Sequence, residues 1–164
     1  MNTTKICFAT IDDVPEILKF IIALAIYEKL EHEAVVTEDQ LTDNLFGKKA
    51  FAEVLFLEVN QKKVGFALFF HNFSTFLGKP GIYLEDLFVL PEERGHSYGK
   101  ILLAYLAKLT IERNCGRLEW SVLNWNTPAI DFYKSLGALS MNDWTSQRLV
   151  GEKLKDLAKH NLLK

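Results

Sequence analysis

The sequence predicts a mixed α/β domain, and three observations carry that reading. Apolar strand-like segments and stretches of helical period follow one another in the order β-α-α-β-β-β-α-β-α-β, which is not the strict strand-helix alternation of a doubly wound sheet. The boundaries between segments carry turn and cap chemistry of their own. The chain has 164 residues, 49% of them hydrophobic, which suits one domain of the usual size, roughly 100–150 residues. A chain of about 150 residues hides about 68–70% of its unfolded surface, so no disulfide or metal is needed to hold it together.

Residues 5–9 form the first short strand. Thr10, Asp12 and Asp13 then supply helix-start chemistry, and Pro15 is tolerated in a first turn. Ile17, Leu18, Ile21, Ile22, Leu24, Ala25 and Leu30 recur at helical spacing, so this helix runs to about Glu31. Thr37 with Gln40 is a capping-box signature for a second, short helix that Gly47 closes. Residues 51–60 and 64–73 read as strands joined by a turn at Gln61-Lys62-Lys63, a hairpin. After a loop at 76–80 comes a third extended segment, GIYLEDLFVL, residues 81–90, which Pro91 ends.

The polar loop EERGHSYG leads into a helix from Lys100 to about Asn114, with Ile101, Leu102, Tyr105, Leu106, Leu109 and Ile111 at a 3.6 period. Residues 117–123 are a further strand and Asn124-Trp125-Asn126 a turn. Thr127-Pro128 opens a short helix through Leu136, with proline at the first helical position and Gly137 as the stop. Two short strands, 138–141 and 144–149, and an amphipathic helix from Gly151 onward complete the chain. There is no internal repeat, low-complexity segment or linker, so residues 1–164 read as a single domain.

Composition excludes several classes of function. Nineteen basic against 21 acidic side chains leave a formal charge of −2, so the polycationic footprint of nucleic-acid binding is missing. Cys7 and Cys115 make no C-x-x-C pair, and His32, His71, His96 and His160 show no ligand spacing, which predicts no metal site. The N-terminus has no basic region followed by a secretory apolar stretch. The longest apolar run, Phe20 to Ile26, is seven residues, against the roughly 20 that span a bilayer. The expectation is a cytoplasmic protein with no membrane partner.

Three segments are candidates for chemistry. Arg94-Gly95-His96-Ser97-Tyr98-Gly99-Lys100 joins a strand end to a helix start, where backbone N–H groups and the helix dipole suit a phosphate or pyrophosphate. It is neither a Walker A loop nor a G-x-G-x-x-G, and a plain polar connection with Gly99 near the cap fits it as well. Glu85 and Asp86 stand side by side in an apolar strand. Alternation puts Glu85 with Tyr83 and Leu87, and Asp86 with Leu84 and Phe88. A carboxylate there is either a general base with a raised pKa or a group capping a backbone amide. Finally, Tyr133 lies seven residues beyond Asn126, about two helical turns; it is either an anchored proton donor to a leaving thiolate or a packed core tyrosine.

Taken together, YEKLE at 27–31, YLEDLFVLPEERG at 83–95, WNTPAIDFYKSLGA at 125–138 and WTSQRL at 144–149 resemble the GNAT superfamily of N-acetyltransferases. The phosphate loop of that family follows [RQ]-x-x-G-x-[GA]. Within it the chain looks most like the spermidine/spermine (diamine) and thialysine N-acetyltransferase branch. The resemblance implies an α+β-type GNAT fold: a mixed, mostly antiparallel central sheet splayed between its fourth and fifth strands and flanked by helices. It also implies acetyl-CoA as acetyl donor, and a homodimer.

Carried over by position, Leu87, Phe88 and Val89 would bond the pantetheine through their main chain, much as an added strand does. Arg94, Gly95, His96, Ser97, Tyr98, Gly99 and Lys100 would hold the pyrophosphate, and Asn126 and Ala129 would flank the cofactor. Tyr133 matches the proton donor to the departing thiolate, and Glu85 the carboxylate that contacts or deprotonates the amine. Tyr27 and Glu28 match positions lining the amine pocket; Glu119 adds negative charge for a doubly cationic substrate.

The implied reaction moves acetyl to the primary amine of a small cationic molecule, a polyamine, diamine or lysine-like amino acid, by direct attack in a ternary complex. Neither cysteine is near the implied site to support a ping-pong route. Transfer to another amine, on a protein, drug or metabolite, and a weakly active CoA-binding module are the alternatives. One position departs from the family pattern: Ser97 stands where its first glycine belongs, and a left-handed backbone there costs a side chain on the order of 1–2 kcal/mol.

Overall fold

The structure, a computed structural model, describes residues 3–159. The chain divides after Leu123 into two compact units. The first holds a five-stranded sheet in sequence order: β1 (Thr4–Phe8), β2 (Glu53–Val59), β3 (Lys62–Ser74), β4 (Lys79–Val89) and β5 (Leu118–Trp120). The first four are antiparallel neighbours, and β5 lies parallel to β4. Three α-helices accompany it: α1 (Val14–Glu28), α2 (Glu38–Phe46) and α3 (Tyr98–Glu112). This is the mixed, mostly antiparallel sheet with flanking helices that the family resemblance implies.

One sheet face is covered by α1 and α2. Val14, Ile17, Phe20, Leu24, Leu41 and Leu45 pack there with Val54, Phe56, Phe66 and Phe88. Phe20 is the hub, its ring 5.7 Å from Phe56, 5.2 Å from Phe66 and 6.4 Å from Phe88. Truncating a phenylalanine in such a place costs about 3–5 kcal/mol. The opposite face carries strand residues of the other parity, among them the buried Leu55, Ala67, Phe69 and Leu84, and takes the apolar stripe of α3. A Cβ added at Gly65 would stand 3.3 Å from Leu102 Cδ1, so glycine there lets helix and sheet approach closely.

Local chemistry sets the helix ends. Thr10 and Asp13 cap one another across a 3₁₀ turn, Ile11–Asp13, before α1. The predicted Thr37–Gln40 capping box opens α2, and Gly47 is its C-cap. The helix α1 stops at Glu28, earlier than its apolar period suggests, because Lys29 turns left-handed (φ 63°) and a 3₁₀ turn, Glu31–Glu33, follows. Tyr27 and Glu28 are thereby its last two residues. The hairpin turn is Asn60-Gln61, both with positive φ, and not Gln61-Lys62-Lys63; such a turn matches the twist of the strands, and Lys62 and Lys63 join β3.

The second unit contains α4 (Thr127–Ser135) and α5 (Gly151–Ala158). Asn126, not Thr127, is the N-cap of α4; its side chain accepts from the Ala129 N–H at 3.4 Å, and Pro128 follows in the first turn. Gly137 (φ 87°) ends that helix, with its N–H on the Lys134 carbonyl and that of Ala138 on Tyr133. The strands expected at 138–141 and 144–149 are not formed. Those residues make no ladder, and Leu139, Met141, Trp144 and Leu149 are exposed. Strand propensity is realised only against a hydrogen-bonding neighbour, which local sequence cannot supply. The helix predicted from Gly151 is present as far as Ala158; its expected continuation past 159 lies outside the described residues.

Candidate active site

The site is built on the far half of β4. Its ladder with β5 covers only Ile82, Tyr83 and Leu84, opposite Leu118, Glu119 and Trp120. Among the described residues, Asp86 to Val89 pair with β3 alone, so this stretch of the other edge of β4 is open. The Leu90 N–H bonds the Val64 carbonyl at 2.9 Å, which fixes the phase of the β3–β4 hydrogen bonds. Alternation then turns the main-chain groups of Leu87 and Val89 toward the open edge and spends those of Phe88 on β3. Phe88 contributes its buried ring instead.

The open stretch begins at a β-bulge. Phe69 pairs with Leu84 and Leu68 with Asp86, so Glu85 is an extra residue in β4. This resets the alternation expected from sequence. Tyr83, Asp86 and Phe88 oppose Phe70, Leu68 and Phe66 and share the face of α1, while Leu84, Leu87 and Val89 share the face of α3. The sequence had put Leu84 with Asp86 and Phe88, and a strict two-residue period fails across an inserted residue.

On the α1 face the end of that helix meets the strand. The Tyr27 and Phe88 rings are 6.2 Å apart. Asp86 is half-buried beside them, and its carboxyl is pushed up from 3.8 to about 7, first by burial and then by the charges of Glu85 and Glu28. Burial also raises the Glu28 carboxyl. Glu85 itself is exposed. Glu28, Glu85 and Asp86 thus form one acidic group. Family position singles out Glu85, whereas the apolar neighbours Leu84, Leu87 and Phe88 are the sign in the sequence that the Asp86 carboxyl resists ionisation.

Beyond β4 a 3₁₀ turn, Pro91–Glu93, feeds the loop, and Lys62 anchors it through Glu93 at 3.2 Å. Gly95 (φ 85°) and Ser97 (φ 61°) are left-handed, and Ser97 is the N-cap of α3, two residues before the cap expected at Gly99. Its side chain makes no capping bond. The first-turn N–H groups of α3 have no acceptor within the helix, which makes this end attractive to anions. His96 Nδ1 lies 3.1 Å from the Glu93 carbonyl, so Nδ1 carries the proton, and the ring stacks on Tyr98 at 5.3 Å. Arg94 does not follow the loop: its Nε donates to the Val89 carbonyl at 3.3 Å and its guanidinium lies 4.6 Å above the Tyr27 ring.

Glu119 is engaged elsewhere. Its carboxylate takes Arg117 at 2.7 Å and the Asn72 amide at 2.9 Å, beside Gly81, where an added Cβ would be 2.4 Å from Asn72 Oδ1. It is opposite Tyr83 in the ladder, whose hydroxyl pairs with Ser121 at 2.7 Å. Within the second unit, the buried Asn126 caps α4, Ala129 is its capped residue, and the half-buried Tyr133 packs on Phe132 with ring centres 5.4 Å apart. The first unit therefore brings together Tyr27, Glu28, Glu85, Asp86, Phe88 and Arg94, with the Gly95–Lys100 loop following on the strand end.

The site is thus a bulged strand with one open edge, leading into a left-handed loop at a helix N-terminus. Residues 22–138 match the acetyltransferase (GNAT) family, and the chain belongs to it: it is an N-acetyltransferase acting on amines. It is 32% identical to a thialysine N-epsilon-acetyltransferase of Mus musculus, over 96% of this chain and 99% of that protein. It is likewise 32% identical to the L-ornithine N5-acetyltransferase NATA1 of Arabidopsis thaliana, over 97% of this chain and 90% of the relative. Among solved structures, an integron cassette protein from the V. cholerae mobile metagenome superposes with a TM-score of 0.81 at 28% identity, covering 96% of this chain and 98% of the other.

Enzymes of the family use acetyl-CoA, and the residues here fit it. Leu87 and Val89 offer a strand edge to a peptide-like chain, and the Gly95–Lys100 segment offers backbone N–H groups to a pyrophosphate.

Proposed function

We propose that the protein transfers acetyl from acetyl-CoA to the primary amine of a small cationic molecule, a polyamine, diamine or lysine-like amino acid, by direct attack in a ternary complex. The observation that carries the reading is the group of three carboxyls, Glu28, Glu85 and Asp86, beside the open edge of β4, with Asp86 near neutrality. An amine must be neutral to attack, and a carboxylate with a pKa about 7 is well matched to take its proton at physiological pH. Glu28 and Glu85 favour a second positive charge on the same substrate. When bound, acetyl-CoA supplies the acetyl thioester. Tyr133 gives its phenolic proton to the leaving sulfur, and an N–H on the open edge of β4 steadies the negative charge that develops on the acetyl oxygen.

A covalent cysteine route is disfavoured by Cys7, whose thiol is pushed up by burial and then by the Glu58 carboxylate that it bonds at 3.3 Å. The reading also takes the protein to be a cytoplasmic homodimer, with Asn126 and Ala129 flanking the cofactor.

The test is thiol release from acetyl-CoA with spermidine, thialysine, lysine and ornithine in parallel, against no-amine and enzyme-only blanks. Turnover with at least one amine, reduced about 100-fold or more in Tyr133→Phe with CoA affinity retained, is the expected result. Silence across the panel while acetyl-CoA still binds overturns the small-amine reading.

A further inference from the structure

Arg94 belongs to the loop that the family resemblance gives to the pyrophosphate, yet its side chain points back across the strand end. Its Nε donates to the Val89 carbonyl at 3.3 Å, and its guanidinium lies over two rings, 4.6 Å from Tyr27 and 5.5 Å from Phe88. Each partner has another use under the proposed function. The Val89 carbonyl is on the open edge, where an extended ligand would bond as an added strand does. The Tyr27 ring is beside Glu28 at the amine pocket, and its face attracts cations. Arg94 makes no ion pair among the described residues, so rings and one carbonyl hold its charge and no carboxylate fixes it in place.

Resting on that reading, we propose that Arg94 is a latch between the two ligand sites: a chain bonding at Val89 and an anion drawing the guanidinium toward the loop lift Arg94 off Tyr27 and bare that ring to the amine. Cofactor and amine then bind cooperatively without touching one another through this contact. The coupling is reciprocal, each ligand raising the affinity for the other by the same factor. A cation stacked on a ring at an exposed site is worth about a two- to fivefold change in binding, which sets the size of the effect.

The experiment is titration calorimetry of the full chain with CoA, which carries no acetyl group and allows no turnover. It is repeated with the best amine of the panel above, in the presence and absence of saturating CoA. The wild-type protein should bind that amine about two- to fivefold more tightly with CoA present. Tyr27→Leu should bind CoA more tightly than wild type by the same factor and lose the coupling, while Tyr27→Phe, which keeps the ring, should keep the coupling. Arg94→Met leaves both rings in place and should also abolish the coupling, whatever it does to CoA affinity. Unchanged or weaker CoA binding by a folded Tyr27→Leu, or coupling that survives Arg94→Met, overturns the latch. A wild-type protein that binds no CoA, or turns over no amine, overturns the proposed function beneath it.

Discussion

Replacing Asp86 by asparagine separates what this carboxyl does for the reaction from what it costs the fold. In the folded chain Asp86 holds its proton up to about pH 7, against an ordinary value of 3.8. Between those values the folded state binds more protons than the unfolded one, so stability falls as pH rises through this window. Taken at ~1.4 kcal/mol per tenfold, the full cost above pH 7 is about 4 kcal/mol. The side chain is half-buried, and water reaching it brings the expected figure to about 2 kcal/mol. Asparagine copies the protonated form and has no charge to bury. Asp86→Asn should therefore match wild type near pH 4 and exceed it by about 2 kcal/mol at pH 8, a gain of ~4–8 °C in Tm for a chain of this size. Over the same range its acetyl transfer should fall about 100-fold or more, since the variant cannot accept a proton. Thermal melts at pH 4, 6 and 8 beside the thiol-release assay decide it. A variant that tracks wild type at every pH, or is less stable at pH 8, refutes the account of Asp86 as a buried, destabilising acid.

Two further substitutions address backbone geometry. Ser97→Gly removes a side chain from a left-handed position (φ 61°), so stability to urea should rise by up to about 1 kcal/mol and CoA affinity should stay equal or improve; a large loss of affinity would identify the hydroxyl as a ligand. Gly81→Ala would push a Cβ to 2.4 Å from Asn72 Oδ1 and break the Asn72–Glu119 bond, so urea denaturation should show a loss of about 1–3 kcal/mol. Adding Asn72→Ala should recover part of that loss if the clash is the cause.

Features governed by a few adjacent residues could be read from the sequence. The capping box of Thr37 and Gln40 is complete within four residues, and Pro91 ends β4 because proline has no N–H to give the ladder. Features that depend on a distant partner could not. Residues 138–149 have strand-like composition, but a strand exists only where another edge receives it. The start of α3 differs from the sequence expectation for another reason: glycine is the usual left-handed residue, which points to a cap near Gly99, whereas the loop imposes the positive φ on Ser97. In the site, Tyr27, Glu28 and Glu85 came from matched motifs, whereas the part played by Asp86 depends on α1 meeting β4 and on a bulge that breaks the two-residue period. Arg94 was read by motif as a phosphate contact; its stacking on Tyr27 is a tertiary fact.

The bulge at Glu85 can be considered from the side of heredity. Remove that single residue and Leu84 joins Asp86 in an unbroken ladder, with Leu84 still opposite Phe69, Asp86 still opposite Leu68 and Phe88 still opposite Phe66. Every apolar side chain of the strand keeps its neighbour. The sheet has no need of Glu85, and an in-frame deletion there would yield a more regular protein. Such a deletion is a change that selection for folding alone would tolerate and selection for activity would remove. A lineage released from the chemistry should shed this residue while its core remains recognisable.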